Sequence, residues 1–151
     1  MHEVNEVKTE VNEEYLTHQE VFDKVVEHLY RQGKPAKKGN DCVYRAKDGT
    51  MCAVGCLIPD EFYDPKMEYH GVDHFYNWYP EALKAAKIDV SDPVMNCLLR
   101  ALQRLHDTDE NWIDFDSKKV SFDQKPFYKK VQDISFIFDL PIPYTSDSKE
   151  H

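Results

Sequence analysis

The sequence predicts a single α+β domain, with four to five helices packed around one short antiparallel β-hairpin. Two patterns favour this fold class. Three segments carry apolar residues at helical spacing, and one Asp-Gly pair separates two short apolar runs. The chain has 151 residues, of which 41% are hydrophobic and 31% are charged. This composition is typical of a globular protein, and the length suits one domain that folds without a disulfide or a metal.

The first helix is predicted to begin at Thr17, which forms a capping-box pattern with Glu20. Gly33 and Pro35 mark its end, because glycine favours the left-handed conformation after a helix and proline cannot continue one. An apolar stripe with helical spacing lies between these signals. It consists of Val21, Phe22, Val25, Val26, Leu29 and Tyr30.

The β-hairpin is predicted next, with arms at residues 42–46 and 50–54. Asp48 and Gly49 lie between the arms and are a preferred pair for a tight turn, since glycine tolerates a positive φ. A two-stranded hairpin is marginally stable alone, so we expect the helices to cover it.

Three further helices are predicted in the second half of the chain. Residues 80–87 suit a short helix, and Ser91-Asp92-Pro93 is a strong start signal for a central core helix. A last helix is predicted to start near Asp123 and to end before the Pro-rich residues 140–143. The stripes are Val94, Cys97, Leu98, Ala101, Leu102 and Leu105 in the central helix, and Phe127, Val131, Ile134 and Phe138 in the last one.

The predicted globular domain spans residues 15–143. Residues 1–14 are expected to form an acidic flexible segment, and residues 144–151 a disordered polar tail. Cys97 belongs to an apolar stripe and is expected in the core. The other predicted core residues are Phe22, Val25, Val26, Leu29, Val54, Leu57, Leu98, Leu102, Leu105, Val131, Ile134 and Phe138.

The charge balance argues against direct contact with nucleic acid. The chain carries 28 acidic and 19 basic side chains, a net charge of −9, whereas phosphate contact needs an excess of Lys and Arg. No apolar run approaches the ~20 residues that span a bilayer, and the acidic N-terminus lacks the apolar core of a signal peptide. We therefore expect a cytoplasmic protein without membrane contact, whose four cysteines are reduced.

The cysteines allow two readings besides simple packing. Cys42, Cys52 and Cys56, with His70 or His74 as a fourth ligand, could form a zinc site, although the paired-cysteine spacing of common zinc sites is missing. Alternatively, Cys52 or Cys56 with one of these histidines could act as a thiol nucleophile. Because free cysteine often behaves as a small apolar residue, the favoured interpretation is packing without a cofactor.

A second acidic run, residues 106–110, contains His106, Asp107, Asp109 and Glu110. Such oxygen ligands suit Mg²⁺ or Ca²⁺, but the regular ligand ladder and the glycine of an EF-hand loop are missing. The sequence therefore favours an acidic loop that follows the central helix.

The segment between residues 57 and 70 is both acidic and aromatic. Such a surface suits the groove of a basic protein, because carboxylates supply charge complementarity and tyrosines are good interface anchors. The alternative is a solvated loop whose aromatic side chains point inward. The candidate partner-binding residues are Asp60, Glu61, Tyr63, Asp64, Glu68 and Tyr69.

Residues 42–68 fit the pattern C-x-YR-x-x-x-G-x-x-CAxGCLIPDExYDPxME, and residues 98–107 fit LLRxLQxxHD. With the helix ending in Gln32-Gly33 and a later Trp112, this order resembles a family of small uncharacterised proteins of phages and prophages. The resemblance covers roughly residues 17–115 and implies a phage or mobile-element context, without an assigned activity. The chain departs from the pattern after Asp107, and its acidic N-terminus is an addition.

Together these features lead to three hypotheses. The first is a small phage-type accessory protein that binds and inhibits a basic or nucleic-acid-binding host protein, such as an anti-phage defence enzyme, in the host cytoplasm. The second is a zinc-stabilised interaction module using Cys42, Cys52, Cys56 and His70. The third, a thiol- or metal-dependent enzyme, is less favoured because no catalytic motif accompanies these residues. Aromatic residues among 75–79 leave both a monomer and a homodimer open.

Overall fold

The computed structural model describes residues 15–143, apart from the side chain of His74. The segments predicted at residues 1–14 and 144–151 lie outside the described residues. Five α-helices and one two-stranded antiparallel sheet form the described part, which confirms the predicted α+β class. The elements are α1 (His18–Gln32), β1 (Lys37–Lys38), β2 (Asp41–Cys42), α2 (Val72–Trp78), α3 (Pro80–Ala85), α4 (Pro93–Asp107) and α5 (Pro126–Phe138).

Helix α1 forms as its capping signals predict. The hydroxyl of Thr17 accepts a hydrogen bond from the backbone N–H of Glu20, and the Glu20 carboxylate accepts one from the backbone N–H of Thr17. At the other end, Gly33 adopts a φ of 76° and donates its N–H to the carbonyl of Leu29. The buried face of α1 packs against α4, which places the two longest helices at the centre of the core.

The sheet lies upstream of the predicted hairpin. Strands β1 and β2 pair across a turn at Gly39, whose φ is 65°. Around Asp48 and Gly49 the chain does reverse, but the two predicted arms share a single bridge, between Arg45 and Met51. The predicted position of the hairpin strands is therefore wrong.

After Cys52 the second predicted arm turns instead of extending, because its carbonyl groups accept hydrogen bonds from the residues that follow it. The N–H of Cys56 donates to the carbonyl of Cys52, and the N–H of Leu57 donates to that of Val54. Gly55 makes this turn possible by lying directly against the backbone of Tyr44. A Cβ at position 55 would lie 2.1 Å from the Tyr44 carbonyl oxygen.

Helix α4 supplies the largest share of the core and corrects two expectations. It continues to Asp107, so His106 is a fully buried helical residue and not part of an acidic loop. Cys97 is exposed, contrary to the expectation that it is a core residue. The buried face of α4 follows Met95, Leu98, Leu102 and Leu105. Cys97 lies on another face with Val94, which is also exposed.

The remaining core expectations are confirmed, except that Phe138 is only partly buried. Helix α5 starts at Pro126 and follows a separate 3-10 turn at Phe122–Gln124, so the predicted start near Asp123 falls in that turn. The side-chain amine of Lys125 donates to the carbonyl of Phe115 and ties the start of α5 to the preceding loop.

Gly55→Ala is expected to destabilise the fold by more than about 2 kcal/mol, because the new methyl group would collide with backbone and not with a movable side chain. Urea unfolding of the two proteins measures the difference. Gly71→Ala is the matched control, since a Cβ there meets nothing within 4 Å and its φ is −75°. Equal losses at both positions would contradict this account of Gly55.

Candidate partner-binding surface

Residues 57–79 form two 3-10 turns and helix α2, and they present several large side chains to solvent. The first turn spans Asp60–Phe62 and the second Pro65–Tyr69. Helix α3 contacts the first turn, and the ring of Trp78 stacks on His70 with centroids 4.6 Å apart. These contacts hold the two ends of the segment close together. Its exposed aromatic side chains are Tyr69 (85% exposed), Trp78 (63%) and Phe62 (41%).

The carboxylate of Glu68 is engaged in hydrogen bonds within the fold. One oxygen accepts the backbone N–H of Tyr44 at 2.8 Å. The other accepts the backbone N–H of Arg45 at 3.1 Å and the hydroxyl of Tyr63 at 2.6 Å. Glu68 and Tyr63 therefore hold the loop in place instead of supplying free binding groups.

The side chain of Arg45 makes further contacts with the same loop. Its guanidinium donates to a carboxylate oxygen of Asp60 at 2.7 Å and to the carbonyl of Ile58 at 2.5 Å. The guanidinium carbon also lies 4.9 Å from the centre of the Tyr63 ring, a cation–π contact. Asp60 is thus partly neutralised, although its side chain remains exposed.

The other predicted carboxylates differ in role. Asp64 accepts the N–H of Lys66 and caps the second turn. Glu61 is exposed in the first turn, at the positive end of its short backbone dipole. Of the six predicted binding residues, Glu61 and Tyr69 are thus exposed without one of these tethering contacts. Phe62 and Trp78, which were not among the predicted binding residues, extend their surface. We call Glu61, Phe62, Tyr69 and Trp78 the acidic–aromatic surface.

A cleft of about 260 Å³ opens beside Tyr69, between the loop and the C-terminal end of α4. Its lining includes Tyr44, Glu68, His70, Gln103 and Asp107. The hydroxyl of Tyr44 donates to the carbonyl of His70 at 2.6 Å, which closes one wall. Burial raises the pKa of the Tyr44 hydroxyl above its usual value, and the negative charges of Glu68 and Asp107 contribute to this rise.

Asp107 is held at the cleft by two neutral donors. Its Oδ1 accepts the side-chain amide of Gln103 at 3.1 Å and lies 2.7 Å from Nδ1 of His106. Gln103 is itself fixed, because its Oε1 accepts the backbone N–H of Val54. His106 and Asp107 were predicted in an acidic loop, and Gln103 was not among the predicted core or site residues. Their joint appearance in the LLRxLQxxHD segment was the available signal.

His106 has a defined protonation pattern. The backbone N–H of Ala36 lies 2.8 Å from Nε2 of His106 and can only donate, so Nε2 accepts and carries no proton. Nδ1 therefore carries the proton and donates it to Asp107. Both ring nitrogens of this fully buried histidine are committed to the fold.

The described residues bring one group of potential metal ligands together, Cys42, His106 and Asp107, with ligand atoms within 4.8 Å of one another. A metal at Nδ1 of His106 would move the ring proton to Nε2, where it would face the N–H of Ala36. Metal binding would therefore break a buried hydrogen bond. In addition, burial and then the charge of Asp107 raise the pKa of the Cys42 thiol to about 11, which disfavours the ligating thiolate.

The structure does not gather the other proposed zinc ligands. Cys52 is fully buried, and its sulfur accepts the N–H of Gly55. The thiol of Cys56 donates to the carbonyl of Ala53 at 3.1 Å. His70 stacks on Trp78, and it shares only the cleft with Cys42. The tetrad Cys42, Cys52, Cys56 and His70 is therefore not assembled as a metal site.

The same environments bear on the thiol-nucleophile hypothesis. Burial raises the pKa of Cys56 to about 12 and shifts that of Cys52 in the same direction. An activated nucleophile needs a lowered thiol pKa, so neither sulfur is activated in this environment. In the second acidic run, Asp109 pairs with Lys37 at 2.7 Å. Among the described residues, only His106 and Asp107 of that run gather as potential metal ligands, together with Cys42.

Comparison with protein-family models, with curated proteins and with solved structures gives no significant match to this chain. Among the described helices, none combines the length and the apolar character that crossing a membrane requires.

Glu68→Gln is expected to cost about 2–3 kcal/mol of unfolding free energy, because the amide would turn a donor toward groups that can only donate. Chemical denaturation measures the loss. Glu61→Gln makes the same chemical change on an exposed side chain of the first turn and should cost less than about 0.5 kcal/mol. Similar stabilities of the two variants would show that the Glu68 bonds do not support the loop.

Untagged protein purified from zinc-supplemented cells is expected to contain less than about 0.2 zinc per chain, since structural zinc sites bind tightly and remain loaded. The reason is the commitment of Nε2 of His106 to Ala36. Elemental analysis of the wild type and of Cys42→Ser provides the measurement. A zinc content near one per chain that Cys42→Ser abolishes would overturn this reading of the Cys42–His106–Asp107 group.

Proposed function

We propose that this chain is a small acidic accessory protein of the phage type that binds and inhibits a host protein. Its target is basic or nucleic-acid-binding, and the acidic–aromatic surface makes the contact. The phage context comes from the resemblance of residues 17–115 to small phage proteins. The observation that carries the proposal is the exposure of Glu61 and of three large aromatic side chains, Phe62, Tyr69 and Trp78, within residues 57–79.

Exposed aromatic side chains of this size are good interface anchors. Tyr and Trp bury much area on binding and lose little conformational freedom, so they contribute strongly to interface energy. The loop that carries Phe62 and Tyr69 is held in place by the Glu68 and Arg45 contacts, which lowers the ordering cost of binding. Carboxylates around these anchors attract a positively charged partner and speed its encounter.

The zinc-module hypothesis has weaker support, because its four ligands are not assembled and the alternative group costs the His106 hydrogen bond. The enzyme hypothesis has weaker support as well, because the pKa values of the Cys52 and Cys56 thiols are raised. A binding role therefore remains the function that the geometry supports best.

Immobilised full-length protein is expected to capture a specific protein from a bacterial lysate at low salt, and to lose it at high salt, because ions screen the attraction. Glu61→Lys, Tyr69→Ala and Trp78→Ala should each reduce capture about tenfold or more. The captured enzyme, assayed with and without the chain, should lose activity.

Two control variants on α5 match these changes. Phe136→Ala removes an aromatic side chain that is 88% exposed, and Asp133→Lys reverses an exposed charge. Both should leave capture unchanged. Capture that survives all three surface variants, or that is lost equally in the controls, rules out the acidic–aromatic surface. A captured enzyme whose activity does not change rules out inhibition.

A further inference from the structure

The cleft beside Tyr69 is small and contains hydrogen-bond acceptors but no Lys or Arg side chain. Its volume of about 260 Å³ falls below the roughly 300–1,000 Å³ of typical small-molecule pockets, so it suits one inserted side chain. Two carboxylates, Glu68 and Asp107, line it, and no Lys or Arg does. A ligand for this cleft must therefore be small in cross-section and rich in donors.

Neither carboxylate is neutralised by a cation within the described part of the chain. The partners of Glu68 are two backbone N–H groups and the hydroxyl of Tyr63. The partners of Asp107 are also uncharged: the amide of Gln103 and the imidazole of His106 engage Oδ1, and the Cys42 thiol hydrogen-bonds with the same carboxylate. The second carboxylate oxygen of Asp107, a residue whose side chain is 41% exposed, remains able to accept a donor.

The rim of the cleft is aromatic. Tyr69 and His70 both line it, and His70 is backed by the stacked ring of Trp78. A guanidinium group is planar, carries several donors and stacks on aromatic faces, whereas an ammonium group is a compact and strongly hydrated charge. The combination of carboxylates inside and aromatic faces at the rim is thus complementary to arginine.

We propose that the cleft bounded by Tyr44, Glu68, Tyr69, His70, Gln103 and Asp107 receives an arginine side chain of the partner protein. The proposal deepens the proposed function and rests on it, because it names the group of a basic partner that this side of the molecule recognises. Asp107 accepts the guanidinium and Tyr69 covers it. Recognition needs little rearrangement, because Gln103 and His106 already hold the carboxylate.

The first test uses Nα-acetyl-arginine amide as the probe and the ¹⁵N-labelled full-length protein as the target. Weak binding is expected, with amide signals shifting at Tyr44, His70, Gln103 and Asp107. The neutral norleucine derivative should cause no comparable shifts there, and the lysine derivative should bind less well. Shifts that are equal for arginine and norleucine, or for arginine and lysine, would overturn the assignment.

Two variants locate the contact. Asp107→Asn removes the charge and keeps an oxygen that can accept from Gln103 and His106, so arginine affinity should fall about tenfold. Asp109→Asn is the control, since that carboxylate pairs with Lys37 and does not line the cleft. Unchanged affinity in Asp107→Asn, or an equal loss in Asp109→Asn, contradicts the proposal.

A second variant, at the exposed residue Tyr69, keeps the proposal testable if Asp107→Asn fails to fold. Tyr69→Ala should keep a native spectrum and weaken the arginine probe about threefold, because the stacking face is lost. An undiminished affinity in this variant counts against the aromatic cover.

The outcomes separate the two proposals. Capture and inhibition of a host protein, without arginine binding at the cleft, would overturn the arginine site and leave the proposed function standing. Arginine binding at the cleft without any captured and inhibited protein would overturn the proposed function and leave the cation site.

Discussion

The carboxylate of Glu68 is the constraint on which the structure of the candidate binding surface depends. The segment from residue 57 to residue 70 contains only two short 3-10 turns, whose few internal hydrogen bonds tie together residues three apart and do not attach the segment to the rest of the fold. Glu68 accepts two successive backbone N–H groups, those of Tyr44 and Arg45, where a neighbouring strand would otherwise supply carbonyls. One side chain thus replaces part of a missing sheet. Because buried backbone donors must find partners, the loop can take few other positions.

This tether also determines which side chains of the loop remain available. Met67 is almost fully buried, and Tyr63 bonds to Glu68, so these positions face inward. Residues 61, 62 and 69 then face solvent as a consequence of the turn geometry. Several residues of the Cys42–Glu68 pattern therefore have structural roles. The hydrogen bonds that hold the loop come from Tyr44, Arg45, Asp60, Tyr63 and Glu68. Gly55 allows the close approach to the backbone of Tyr44. Glu61 belongs to the same pattern without such a contact, which makes it a more informative position for binding.

Local signals predicted four of the five described helices, because caps and apolar stripes act within a few residues. Helix α2 was not predicted, since its sequence has no clean apolar period. The predictions were wrong where the local structure depended on contacts between segments that are distant in the sequence. The Asp48-Gly49 turn forms, yet the following residues coil because Gly55 can approach the backbone of Tyr44, a fit that no local pattern reveals. The error at Cys97 has a different cause. Val94 and Cys97 are three residues apart on one face of α4, but the core takes the neighbouring face through Met95 and Leu98. Both faces contain apolar residues, so spacing alone could not choose between them.

The polar residues at the end of α4 were the least predictable part of the candidate site. They explain why the Asp107 carboxylate is held in one position. Gln103 bonds to Val54, and His106 bonds to Ala36, so each side chain ties a separate loop to the helix. The side-chain amide N–H of Gln103 and the Nδ1–H of His106 both donate to Oδ1 of Asp107. Sequence periodicity marks such positions as ordinary members of a helix, because a buried polar side chain is explained only by partners far away in the chain. If Gln103 or His106 moved, the backbone N–H of Val54 or Ala36 would lose its partner. The two side chains that hold the Asp107 carboxylate are therefore kept in place by contacts that also stabilise the fold. A cleft built this way presents its charge before any ligand arrives.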